Sequence, residues 1–350
     1  MMFSDKLLEL GFDTFFQQQL LGDDLCGAVP ARVMGVQRSG LVLLGDHIEG
    51  YFELAGGDFK KRPTIGDWLL WDAASQQIAR ILDRKSLFRR RAPGTDRHEQ
   101  FIAANVDTLL IVSSCNQDFN EARLERYLAI AREADVLAMI VLTKADTCDD
   151  PGSFVTRASR LANAIQVEAV NALSQESLSI LDPWLGRGQT IALLGSSGVG
   201  KSTIINTLSG TDSVLTRGIR ESDAKGRHTT TSRSMHQLPA GAWLLDTPGM
   251  RELQLTGVRT GLDDVFDEIS SLASHCRFSD CQHKNEPGCA IQAAISTGDI
   301  DEARLKRWRK LVREDEFNSA SIAEKRARDK SFGRLYKSII NDKKAQKDNS

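Results

Sequence analysis

Gly195-Ser196-Ser197-Gly198-Val199-Gly200-Lys201-Ser202 is the stretch on which the reading of this chain turns. It matches G-x-x-x-x-G-K-[ST], with an apolar run, TIALLG (190–195), before it and a helical pattern from Lys201 after it. In a chain of this composition the pattern arises by chance about one time in a hundred. Glycines let backbone N–H groups turn inward around phosphate oxygens, and the N-terminus of the following helix adds positive potential. In such a loop Lys201 reaches the β and γ phosphates of a nucleotide, the Ser202 hydroxyl is a Mg²⁺ ligand, and Thr203 continues the same turn.

Working outward, Thr143-Lys144-Ala145-Asp146 closes another apolar run, VLAMIVLT (136–143), in the form [NT]-K-x-D. A carboxylate at Asp146 can accept both N1–H and the exocyclic amino group of guanine, a pair that adenine does not offer. Lys144 packs its stem along the base. Alone the tetrapeptide is weak; in a chain with a phosphate loop it selects GTP over ATP. Asp246-Thr247-Pro248-Gly249 ends the run AWLLDT, placing Asp246 to hold Mg²⁺ through water and the Gly249 amide to meet the γ-phosphate. Between that segment and the phosphate loop lies Gly226-Arg227-His228-Thr229-Thr230-Thr231. Thr230 is the preferred Mg²⁺ and γ-phosphate ligand there, with Thr229 open as its neighbour. Asn171-Ala172-Leu173 follows the run QVEAV (166–170) and offers a backbone amide to guanine O6.

The order is unusual. The base-reading motif precedes the phosphate loop, which precedes the two γ-phosphate segments, so the order predicts a circularly permuted GTPase. Alternation of apolar runs with helical stretches from about residue 99 requires a parallel sheet covered on both faces. Opening the chain elsewhere sends the Asp246–Gly249 segment directly into the C-terminal region.

That region carries Cys276-x4-Cys281-x-His283-x5-Cys289, three thiolates and an imidazole within fourteen residues. Four such ligands fit one closed, structural zinc site. His275 is an alternative ligand, but its adjacency to Cys276 cramps it. A filled coordination sphere argues against handing the metal on. The remaining cysteines, Cys26, Cys115 and Cys148, are scattered, so disulfides are not expected.

Upstream, ARVMGV, LVLLGD, GYFELA, DWLLWD and QIARIL are five short runs between residues 29 and 83, punctuated by glycine. They suit a small OB-type barrel. Tyr51, Phe52, Trp68 and Trp71 are candidates for base stacking, though aromatics in so small a barrel more often fill its core.

The 350 residues allow two or three domains, with 41% hydrophobic and 26% charged residues. The N-terminus mixes acidic with apolar residues and reads as a short amphipathic helix rather than an export signal, so a cytoplasmic protein is expected. Net charge is −2, unevenly spread: residues 302–350 carry +7 and the rest −9, and RKSLFRRRAPGTDR (84–97) is strongly basic. A basic tail on an acidic body suits a polyanion partner, with a solvated helix face as the plain alternative.

With these pieces assembled, residues 29–315 resemble the ribosome-small-subunit-dependent GTPases known as RsgA or YjeQ. The resemblance rests on the small barrel, the permuted motifs, GRHTTT, DTPG and the C-x4-C-x-H-x5-C cluster. It implies a multidomain α/β protein: an N-terminal segment (1–28), an OB-fold RNA-binding barrel (29–90), a permuted P-loop GTPase domain (99–257), a helical zinc domain (258–315) and a basic helical tail (316–350). It further implies a monomer that binds the 30S subunit and 16S rRNA late in maturation, hydrolyses GTP under stimulation by the subunit, and then leaves. Met250 stands where many GTPases place a water-orienting glutamine, and the family pattern suggests His228 for that duty, the alternative being a switch histidine without catalytic duty. Residues 1–28 hold one basic residue, Lys6, where some relatives have a basic extension, and Asn171 replaces the usual serine. These departures leave open a divergent paralogue with altered timing or substrate particle. The alternative reading of the whole chain is a GTP-regulated RNA-binding protein acting on another RNA or particle.

Overall fold

The computed structural model describes residues 4–20, 27–54, 62–91, 99–210, 233–246, 253 and 255–319. Thr108–Ser114 (β8), Leu137–Thr143 (β9), Gln166–Ala169 (β10), Thr190–Leu194 (β11), Arg233–Gln237 (β12) and Trp243–Asp246 (β13) form six consecutive strands of one sheet, in the order β10-β9-β8-β11-β13-β12. The first five in that order run parallel, and β12 is antiparallel to β13.

Continuous apolar runs are needed because both faces are covered. Along β8, Leu109 and Ile111 point into one core while Leu110 and Val112 point into another, and β9 and β11 alternate in the same way. On the first face lie α3 (Glu121–Glu133) and α4 (Pro151–Ser159); on the second lie α5 (Gln175–Leu178) and α6 (Lys201–Ser209).

The N-terminal part holds Ala28–Val36 (β1), Gly40–Gly45 (β2), Glu49–Glu53 (β3), Trp68–Asp72 (β4) and Gln77–Ile81 (β5). They pair antiparallel in the order β3-β2-β1-β4-β5, five strands close to those read from the sequence. Val33, Leu41, Leu43, Leu69, Trp71 and Ile78 fill the concave core of this sheet. Trp68 points the other way, against Phe12, which lies between two short helices, Asp5–Glu9 (α1) and Thr14–Gln17 (α2), and against Phe16 within α2; the sequence pattern suggests one helix there. Trp68 and Trp71 are buried, Phe52 packs half-buried on Trp71, and only Tyr51 of the four aromatics is exposed. Three of the four base-stacking candidates are therefore packing residues.

Two features join this unit to the larger sheet. Strand β1 also pairs with β12, through Gly35↔Ser234 and Val36↔Arg233, so the two sheets are continuous. Arg32 sits at the seam, 2% exposed, donating to Leu10 O, to Thr190 Oγ1 at 2.6 Å and to Asn105 O. Burial lowers its pKa to about 10 against the pull of Asp107 and Asp13, so it stays charged at neutral pH. A two-stranded hairpin, Leu87–Arg91 (β6) with Glu99–Ala104 (β7), leads from one unit into the other.

C-terminal to the sheet come Arg259–Val265 (α7), Asp267–Ala273 (α8), Ala290–Thr297 (α9) and Glu302–Ser319 (α10). Residues 320–350, most of the basic tail, lie outside the described residues. An ionic clamp locks α10 to α3. Glu125, fully buried, accepts from Arg307 Nε at 2.9 Å on both oxygens and from Arg304 Nη1 at 3.0 Å. Arg304 also bonds Glu268 of α8. No helix among the described residues is long and apolar enough to cross a membrane.

Burial pushes the Glu125 carboxyl up to about 7, with Arg307 and Arg304 pulling the other way. A carboxyl whose folded pKa lies above its unfolded value favours folding most at low pH, and that contribution fades as pH rises from about 4.5 to about 7. Glu125→Gln should flatten stability over that window in urea titrations. Glu125→Ala, which strands two part-buried guanidinium groups, should cost about 3 kcal/mol.

Candidate functional site

The five parallel strands end on one edge, and the chain leaves β8 toward β9 and β10 but leaves β11 toward β13. In an open α/β sheet the crevice at the carboxyl ends, where the winding direction reverses, is where ligands bind. The phosphate-loop residues Gly195–Gly200 leave β11 at that crevice and run into α6. Gly195 has no room for a side chain, because a Cβ would lie 2.3 Å from Val112 O. Gly200 adopts φ +96° and lies against Thr143, so glycine is needed there for conformation as well as space. Lys201, the first residue of α6, is 9% exposed; its Nζ donates to Gly195 O at 2.8 Å and to Ser196 O, closing the loop on itself.

Beside it, Thr143 ends β9. Its buried hydroxyl lies 2.6 Å from Val199 O and 3.1 Å from Ser113 O, joining the base-reading segment to the phosphate loop and to β8. The sequence placed Thr143 in the motif but did not show this bond, which spans 56 residues. Lys144 follows in the left-handed region, φ +61°, and Ala145–Thr147 forms a tight turn that displays Asp146 at the edge. Ala145 N donates to Val170 O, setting the turn beside Asn171–Leu173 at the end of β10. There the Asn171 amide donates to Ser177 Oγ and the Leu173 amide to Asn171 Oδ1. Among the described residues the Ala172 amide has no hydrogen-bond partner. Thr207 of α6 donates to Ala172 O at 2.7 Å and braces this turn against the helix behind the phosphate loop.

The Gly195–Gly200 loop and the turn bearing Asp146 thus stand beside one another at one crevice. Ser202 and Thr203 continue the first turn of α6, and β13 ends at Asp246 on the same edge. Gly226–Thr231, including His228, Thr229 and Thr230, and Thr247–Met250, including Gly249, lie outside the described residues.

The second constellation is Cys276, Cys281, His283 and Cys289, whose ligand atoms all lie within 4.8 Å of one another. His283 Nδ1 is 3.5 Å from Cys276 Sγ and 3.7 Å from Cys289 Sγ, and those two sulfurs are 3.9 Å apart. Tetrahedral zinc, with ligand bonds of about 2.0–2.3 Å, sets its ligand atoms about 3.3–3.8 Å apart. The donor set and its spacing suit zinc.

Around these four, Cys289 caps α9, its sulfur accepting from Gln292 N at 3.5 Å. Gln292 Nε2 and Arg309 both donate to His283 O, fixing a residue at φ +58°, and Trp308 packs on the ring. Burial and then Arg309 lower the His283 pKa, favouring the neutral ring that ligates metal. Burial resists ionising Cys276, but the amides of Ala290 and Ile291 and the neighbouring thiols outweigh it and hold that thiol low. Burial pushes Cys281 up to about 11, so a cation must drive its ionisation. His275 is exposed, with its Nδ1 2.9 Å from Ser271 O, and stands outside the cluster.

The family model described as RsgA GTPase matches residues 81–256. Small ribosomal subunit biogenesis GTPase RsgA 2 of Vibrio parahaemolyticus is 49% identical over 341 residues, spanning 97% of this chain and 94% of that protein. Small ribosomal subunit biogenesis GTPase RsgA of Mesorhizobium japonicum is 46% identical over 326 residues, spanning 90% and 92%. Among solved structures, YjeQ from Thermotoga maritima superposes with TM-score 0.59 at 21% identity, covering 81% of this chain and 97% of that one. YloQ, described as a circularly permuted GTPase, gives TM-score 0.57 at 22% identity, covering 84% and 96%.

Proposed function

The chain belongs to the RsgA GTPase family, and from that premise we propose that it binds the small ribosomal subunit, assists its late maturation, and hydrolyses GTP under stimulation by the subunit. The observation that carries this reading is the shared crevice, in which Thr143 joins the phosphate loop to the loop bearing Asp146. Guanine recognition and phosphate binding are then mechanically one unit.

In this reading the backbone of Gly195–Gly200 wraps the phosphates, Lys201 offsets the charge of the β and γ groups, and Asp146 accepts from the guanine edge. The Ala172 amide meets O6. The family implies Mg²⁺ with GTP, and Ser202, Thr230 and Asp246 are the residues that would hold it. The ion offsets phosphate charge when bound. Zinc at the cysteine cluster is structural, since four protein ligands leave no open position. His228 orients the attacking water in place of Met250.

The proposed domain limits are those drawn from the sequence, with β1–β5 as an OB-type barrel and 16S rRNA as its partner. A cytoplasmic monomer completes the reading.

Phosphate release from GTP, measured alone and with small or large ribosomal subunits, tests it. Small subunits should raise turnover well above the intrinsic rate and large subunits should leave it unchanged. His228→Ala should then lose about 10²-fold or more of the stimulated rate with nucleotide affinity retained. No response to small subunits would refute the proposal.

A further inference from the structure

Away from both constellations, at the seam of α3 and α10, lies a cleft of about 310 Å³. Arg123, Arg126 and Tyr127 of α3, Arg307 and Lys310 of α10, and Leu253 are among its lining residues, which include four cations and no carboxylate. Two of the cations are held at the walls. Arg126 pairs with Glu314, and Arg307 with Glu121 and Glu125. Arg123, half-buried, and Lys310 have no side-chain partner among the described residues. Cations converging on one cleft repel one another. A single anion between the two helices would relieve that repulsion.

We propose that this cleft binds a phosphate group of an RNA backbone. Guanidinium forks match phosphate oxygens in shape, and lysine adds a flexible point charge. Pockets that enclose a whole small molecule run to roughly 300–1,000 Å³ and are mostly apolar; this one is at the bottom of that range and polar. It therefore suits one group of a larger molecule better than a free nucleotide. RNA as the source rests on the small-subunit reading above. Leu253 gives the site its interest: it lies a few residues along the chain beyond Asp246–Gly249 and lines the cleft beside α10.

The test uses the full chain with Arg123→Ala and Lys310→Ala combined, and a charge-keeping control with Arg123→Lys and Lys310→Arg. Affinity for purified small subunits should fall about ten-fold in the alanine variant, and the slope of log affinity against log salt should shrink by about 1–2. Intrinsic GTP hydrolysis should stay unchanged, and the control should keep most of the affinity. Unchanged affinity and slope would overturn the assignment, as would equal loss in the control. The same comparison on polyuridylate reads the cleft even where small subunits fail to bind the parent chain. Inorganic phosphate bound by the parent and lost in the alanine variant, with RNA binding intact, would overturn RNA as the occupant.

Discussion

Lys201→Ala is expected to lower affinity for both GTP and GDP by about a hundred-fold or more and to abolish measurable turnover. Lys201 is the one lysine of the phosphate loop, nine-tenths buried at the start of α6, with its ammonium held against Gly195 O and Ser196 O. It therefore serves twice: it closes the loop, and it is aimed at the space the loop encloses. Charge-assisted hydrogen bonds contribute about 1.5–3 kcal/mol each, so losing two that the ammonium would make to phosphate oxygens places the deficit at about 3 kcal/mol or above. The protein should remain folded, because α6 keeps Ile204, Ile205 and Leu208 in the core. Titration of a fluorescent GDP analogue, with circular dichroism as the fold control, checks both statements. Near-parental affinity in a folded variant would show that the loop does not hold the phosphates. Small-subunit maturation still supported by Lys201→Ala would show that hydrolysis is not needed for that role.

Cys281→Ser is expected to lower bound zinc from one per chain to near zero and to unfold the region from α9 into α10. In zinc-finger peptides metal affinity amounts to about 10–16 kcal/mol of apparent folding free energy at neutral pH. The surroundings here are thin enough to depend on it. Between Cys276 and Cys289 the chain has no helix or strand, and Arg277, Phe278, Ser279 and Asp280 are exposed. Cys281 is the informative ligand because Cys289 also caps α9 and its loss would mix two effects. Zinc released by a thiol-blocking reagent and counted colorimetrically gives the stoichiometry; limited proteolysis locates the unfolding. The crevice around Lys201 lies on other elements, so nucleotide affinity should change little. Full zinc retention in the variant would remove Cys281 from the ligand set.

Much of the candidate site was legible because its chemistry is written in short windows. The phosphate loop, Lys144–Asp146 and the three cysteines with His283 each occupy fewer than fifteen consecutive residues, where spacing and residue type state the task directly. The strands β8, β9 and β11 were legible because burial on both faces leaves a run of apolar residues that no exposed element tolerates. Permutation was legible too, since it concerns only the order of the motifs.

What the sequence could not show is how distant windows meet. The Thr143 bond to Val199 O depends on β8 and β9 pairing as Ser114↔Thr143 and on Gly200 having no side chain there. The clamp of Glu125 on Arg304 and Arg307 joins residues about 180 positions apart, and nothing within either helix distinguishes those arginines from their solvated neighbours. Trp68 and Trp71 are both buried because two helices cover one face of β4 while its own sheet curls over the other, an outcome alternation alone leaves undecided. Local pattern thus determined which chemistry the chain carries and on what kind of element. Register, two-sided cover and the pairing of β1 with β12 determined which pieces stand together, because those depend on the whole core closing at once.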